Sequence, residues 1–164
     1  MRIVSVTGLA VLLSTSAALA AETAADKFVG EIVGACALSS TVKQVRANLS
    51  ARFVPANKTP ATALPKALAG FLGEPVVERK EDYVVVRLPI KATVKGLKVE
   101  RVSFAIGQEN GIDSQVVSFA ASLDQVEAKF GDTVRKIRAK GQDGTEVMLM
   151  PEGDTTDFVC DHSM

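Results

Sequence analysis

The sequence predicts an α+β domain: a mainly antiparallel, twisted sheet with two or three helices packed on one face. Three observations carry that expectation. Asn110-Gly111 stands between two β-rich runs, and both residues tolerate the positive φ of a type I′ hairpin turn. Short valine-rich and isoleucine-rich runs recur along the chain between turn-forming residues. A capped helix pattern follows the hairpin at once, with Ser122 at the cap and Gln125 three residues on.

The chain opens on an export leader, residues 1–20. Arg2 gives the positive start, Val6, Leu9, Val11, Leu12 and Leu13 the apolar stretch, and Ala18-Leu19-Ala20 the small-x-small cleavage pattern. The stretch is short and interrupted by Ser14, Thr15 and Ser16, which argues against a membrane span. Its alanine-rich composition has a bacterial character. The mature chain is then expected to be one domain, 21–164, periplasmic or secreted, with no integral membrane span once the leader is removed.

Val42, Val45, Leu49 and Phe53 suit an amphipathic helix, although Val45, Ala47, Leu49, Ala51 and Phe53 also alternate as a strand would. Helix is the expectation. Residues 54–63, with Pro55, Asn57 and Pro60, read as a loop. Leu64 to Leu72 reads as a helix ended by Gly73, Val76 to Arg79 as a strand, Glu81-Asp82 as a turn, and Tyr83 to Leu88 as a strand stopped by Pro89.

If Asn110-Gly111 is a two-residue turn, Phe104 faces Val117, Val102 faces Phe119 and Ser103 pairs with Ser118. Leu123, Val126 and Phe130 share one side of the next helix, which Gly131 is placed to end. Thr133 to Arg138 then reads as a strand, Gln142-Asp143-Gly144 as a turn, Val147 to Met150 as a strand, Pro151 to Asp154 as a turn and Phe158 to Cys160 as the last strand. The order helix, Gly, strand, turn, strand, Pro thus occurs twice, which raises a duplicated unit as a possibility.

Cys36 and Cys160 are the only cysteines. In an oxidising compartment an even pair reads as a disulfide, here joining the two ends of the mature chain. Val33-Gly34-Ala35-Cys36 loosely resembles a lipidation box but lies well past the apolar run. Asn48-Leu49-Ser50 and Asn57-Lys58-Thr59 fit a glycosylation pattern too short to carry weight.

Basic residues number 19 and acidic residues 19, so a nucleic-acid partner is not expected. Bases concentrate in residues 41–101 and acids in 141–164. The simpler expectation is that the two regions attract one another across the fold; the alternative is a basic patch for an anionic partner.

Catalytic candidates are sparse. His162, the only histidine, stands near the end of the chain, and nothing around Ser39, Ser40 or Ser118 resembles a nucleophile elbow. Asp157, Asp161 and His162 could offer oxygen and nitrogen ligands, and the trio Met148, Met150 and His162 offers a metal-carrier reading, against which two methionines at i and i+2 read more simply as core packing and acids near a terminus as solvated. Glu78, Glu81, Asp82, Glu109 and Asp113 are the acids considered for a carboxylate pair acting on an envelope polymer. No catalytic residue, metal ligand or cofactor is assigned. The expectation is a non-catalytic exported protein, of accessory or inhibitor type, that binds a protein or a small apolar ligand. The paired-carboxylate enzyme and the Met/His metal carrier are the alternatives. Ligand-binding residues and oligomeric state are not fixed by the sequence, and an apolar pocket under the 54–63 loop is the one location considered.

Overall fold

A computed structural model describes residues 22–108, 111–140 and 144–163. The expected leader lies outside these residues, as do Glu109, Asn110, Gln142 and Asp143 of the expected turns. The elements run α1 (Ala24–Ala35), α2 (Ser40–Phe53), a 3-10 turn (Lys66–Leu68), β1 (Val76–Arg79), β2 (Tyr83–Val94), β3 (Leu97–Gly107), β4 (Asp113–Phe119), α3 (Leu123–Lys140), β5 (Glu146–Glu152) and β6 (Thr155–Asp161). The strands form one antiparallel sheet in the order β1-β2-β3-β4-β6-β5. The fold is α+β.

Strand periodicity sets the layers. Val84, Val86 and Leu88 of β2 are buried while Val85 and Arg87 between them are not. The same alternation buries Val102, Phe104 and Ile106 of β3 and Thr156, Phe158 and Cys160 of β6. The helices cover this face. Phe28, Val29, Ile32 and Val33 fall on one side of α1, which lies against β2, β4 and β6. Val126, Phe130, Val134 and Ile137 fall on one side of α3, over β5 and β6. Phe130 stacks between Phe119 and Phe158, with ring centroids 5.2 and 5.9 Å away.

The N-terminal stretch is helical as expected, and Ser39 caps it by accepting from the Val42 N–H at 3.2 Å. The capping box of α3 is also formed: the Ser122 N–H donates to Gln125 Oε1 at 3.0 Å.

Several expectations are corrected. The helix from Leu64 to Leu72 shrinks to the 3-10 turn, because its backbone bonds to the sheet edge instead: Lys91 N–H donates to Phe71 O and Gly73 N–H to Pro89 O. Pro89 does not stop β2. Its carbonyl points to the outer edge beyond β1, so its missing N–H removes no bond to β3. The strand continues to a turn at Lys95-Gly96, where both φ values are positive, 50° and 80°. Gly131 does not end α3, and Thr133 to Arg138 is helical. Val126, Phe130, Val134 and Ile137 keep helical spacing across the glycine, and that buried stripe prevails over local β preference. The repeated order of elements therefore breaks at 133–138, and with it the duplicated unit.

The β3–β4 register is shifted by two residues from the expected one. Gly107 N–H donates to Ile112 O, Val102 faces Val117 and Phe104 faces Gln115. Ser103 faces Val116, and Ser118 faces Arg101 rather than Ser103. A two-residue shift keeps every side chain on its predicted face.

Asp26 fastens α1 to the sheet. Its two carboxylate oxygens accept from the Thr23 N–H at 2.8 Å and from the Thr93 N–H, beyond the end of β1, at 2.6 Å. Burial pushes its carboxyl up, but these bonds and the Thr23 hydroxyl outweigh that and leave the pKa lowered. A lowered carboxylate pKa contributes stability above the unfolded value, and that stability is lost as pH falls through the folded value. Asp26→Asn should therefore cost about 1 kcal/mol near neutrality. Urea unfolding at neutral and strongly acidic pH should show the difference disappearing in acid.

Candidate functional site: the open face of the sheet

The sulfur pair is joined as expected. Cys36 and Cys160 form a disulfide with a Cα–Cα distance of 5.5 Å, on the helix-covered side. Cys36 caps α1 in the left-handed conformation, with φ of 50°. Its role is structural, tying α1 to β6.

Among the described residues the other face of the sheet carries no helix. Its register sets out three rows of side chains. One runs Val76, Arg87, Ser103, Val116, Val159, Met148. On one side lies Glu78, Val85, Ala105, Ser114, Asp161, Glu146; on the other lies Pro89, Arg101, Ser118, Asp157, Met150. Val76 is 57% exposed and Met150 50%, and they stand near opposite edges of this face. Met148 and Met150 therefore point away from the helices, correcting the core-packing expectation.

A charged cluster crosses the third row. Arg101 Nη2 lies 3.2 Å from Glu152 Oε2 and 3.9 Å from Asp157 Oδ1. Here, as the charge distribution suggested, the basic and acidic regions meet. Burial pushes the Asp157 carboxyl up; the Ser118 hydroxyl opposes this, the Glu152 carboxylate reinforces it, and Arg101 opposes it. The result is a raised pKa, so the favourable contribution is fully present below the unfolded value and lost as pH rises through the folded one. Asp157→Asn should abolish that loss, which chemical denaturation between pH 4 and pH 8 would reveal as a flatter stability profile.

The acids considered from sequence do not assemble. Glu78 pairs with Lys80 and Arg87, and Asp113 pairs with Arg46 at 2.9 Å. Glu81 and Asp82 are exposed at the β1–β2 turn, and Glu109 is outside the described residues. The adjacent carboxylates are instead Glu152, which the sequence marks only as part of the acidic C-terminal region, and Asp157, which it also offers as a metal ligand. His162 Nδ1 lies 3.0 Å from Thr145 Oγ1, in a hollow of about 270 Å³ on the helix side with Cys36, Leu38 and Ile137. It is thus on the opposite side from Met148 and Met150, so the structure does not bring the proposed metal-binding trio together. Ser39 and Ser118 serve as a helix cap and as a neighbour of Asp157.

The 54–63 loop does not roof the open face. It packs on α2, with Asn48 donating to Thr62 O and Gln44 to Ala63 O. Asn48 is 4% exposed, which closes off the first glycosylation pattern in the folded chain. A larger cleft, about 990 Å³, opens between the start of α1 and the β2–β3 hairpin, with Ile90, Val94, Lys91 and Lys98 among its walls. Among the described residues no helix is long and apolar enough to cross a membrane. Searches of protein-family models, curated proteins and solved structures find no match to this chain.

Proposed function

We propose that this chain is an exported, disulfide-tied binding protein that engages a protein partner through the open face of its sheet, in the periplasm or outside the cell. The observation that carries the reading is the uncovered sheet face. Apolar Val85, Ala105, Val116, Val159 and Met148 run through it, with Arg87, Arg101, Asp157, Asp161 and Glu146 beside them. Such a mixture of apolar and charged area is the usual make-up of a non-obligate protein interface. The buried disulfide and the export pattern of residues 1–20 support an oxidising compartment.

A photo-reactive side chain placed at Val116 tests the reading in cells. It should yield a protein adduct, whereas the same group at Glu127, exposed on α3, should not. Absence of an adduct from Val116, Val159 and Met148 alike would refute it.

The second reading, a paired-carboxylate enzyme, is favoured by one observation: Glu152 and Asp157 are neighbours and Asp157 holds its proton more tightly than usual. Loss of a polymer-cleaving activity in Asp157→Asn, with the fold intact, would support it.

A further inference from the structure

We infer that the partner on the open face is a second copy of this chain, seated face to face about a two-fold axis parallel to the strands. The inference rests on the proposed function and names its partner. Such an axis lays the β1–β2 edge of one copy over the β5–β6 edge of the other, because the strand order places those pairs at opposite sides of the sheet. Three features of the face match under that operation.

The first is apolar. Val76 and Met150 are the large hydrophobic side chains left exposed among the described residues, and they stand on the same face near its two edges. The two-fold brings Val76 of one copy over Met148 of the other, which shares its row, with Met150 alongside. Val76 is thereby covered in both copies, with Met150 diagonally across from it.

The second is charge. On β2 the row carries Arg87; on β6 it carries Val159, flanked on the same face by Asp157 and Asp161. With β2 over β6 of the second copy, Arg87 lies above Val159 and between the two aspartates. The same pairing recurs by symmetry, and the one direct like-charge opposition, Glu78 over Glu146, is offset by Lys80 and Arg87, which pair with Glu78 in each copy.

The third is size. Five inter-strand spacings of about 4.8 Å and three two-residue steps of about 6.8 Å give a face of roughly 25 by 20 Å. Two such faces, with side-chain relief, bury about 1,200 Å² in total, at the lower end for a specific complex. Aligned sheets pack in this way at about 10 Å separation. A reversible dimer with micromolar affinity is the expected result.

The test is sedimentation of the mature, oxidised chain from about 1 to 300 µM, a range chosen to bracket a small interface. The parent should pass from monomer to dimer, and Val76→Arg should weaken dimerisation by about tenfold or more. Arg87→Glu and Asp161→Arg should each disfavour self-association, since each sets like charges against one another. Mixed together, the two variants should restore a dimer, because both cross-interface contacts are then of opposite sign. That recovery does not follow from a purely local effect on either variant's fold. A parent that stays monomeric throughout, or a dimer indifferent to these substitutions, would overturn the inference. An adduct from Val116 to a different protein, with a monomeric parent, would overturn the second copy as partner while leaving the binding reading intact. No adduct and no dimer would remove both.

Discussion

Replacing Cys36 and Cys160 together by alanine should lower the free energy of unfolding by about 5 kcal/mol, the chain-entropy value for a loop of this length. The two sulfurs are separated by 124 residues, so the bond restrains nearly all of the described chain in the unfolded state. Both cysteines are buried, at 3% and 0% exposure, so the truncation also leaves unfilled space beneath α1. Two measurements separate these contributions. Reduction of the parent removes the cross-link and keeps the sulfur atoms in place; the double variant removes both. Guanidinium unfolding should rank the oxidised parent first, the reduced parent well below it and the double variant lowest. Small domains are stable by about 5–15 kcal/mol, so the loss is a third of the total or more. Equal midpoints for oxidised and reduced protein would show that the bond adds nothing. Loss of α1 docking should accompany the destabilisation, because Cys36 is the cap of that helix and Cys160 lies on β6 beneath it.

Much of this architecture was legible because period-two and helical stripes write burial directly into the chain. Val84, Val86 and Leu88 announce one sheet face, and Val42, Val45 and Leu49 announce α2. A local signal misleads where long-range bonding overrides it. Gly131 looks like a helix stop, but Phe130 and Val134 on either side are held against the sheet, so the helix runs through it. Pro89 looks like a strand stop, but only a neighbour on one side would notice its missing N–H, and β1 has already ended there. The candidate face was legible in its parts and not as a whole. Arg101, Asp157 and Glu152 meet only because β6 folds back between β4 and β5, a crossing that no local pattern records. The open face itself is a statement about where helices do not pack, and sequence periodicity shows only that one face is apolar.

Phe130→Ala should be the most damaging single truncation in the helical layer, at about 3–5 kcal/mol. The ring is 1% exposed and touches Phe119 and Phe158, while the Lys95 ammonium lies 4.7 Å from its centroid. Each aromatic contact adds about 0.5–1.5 kcal/mol beyond the area it buries. The loss falls on an element with little intrinsic strength of its own. Gly131 in mid-helix costs α3 about 1 kcal/mol relative to alanine, and Thr133 and Val134 are poor helix formers. α3 is therefore held chiefly by its buried stripe, and Phe130 is the largest side chain in that stripe. Phe130→Leu, which keeps most of the volume, should cost much less. Hydrogen exchange offers a local reading of the same effect. Amides of α3 should lose protection in the alanine variant well before those of β2, which packs on α1, and of β3, which pairs with β2 along its length. A uniform loss of protection across all elements would show instead that α3 and the sheet open as one cooperative unit. The helix would then be a fixed part of the scaffold behind the open face, with no freedom to move independently of it.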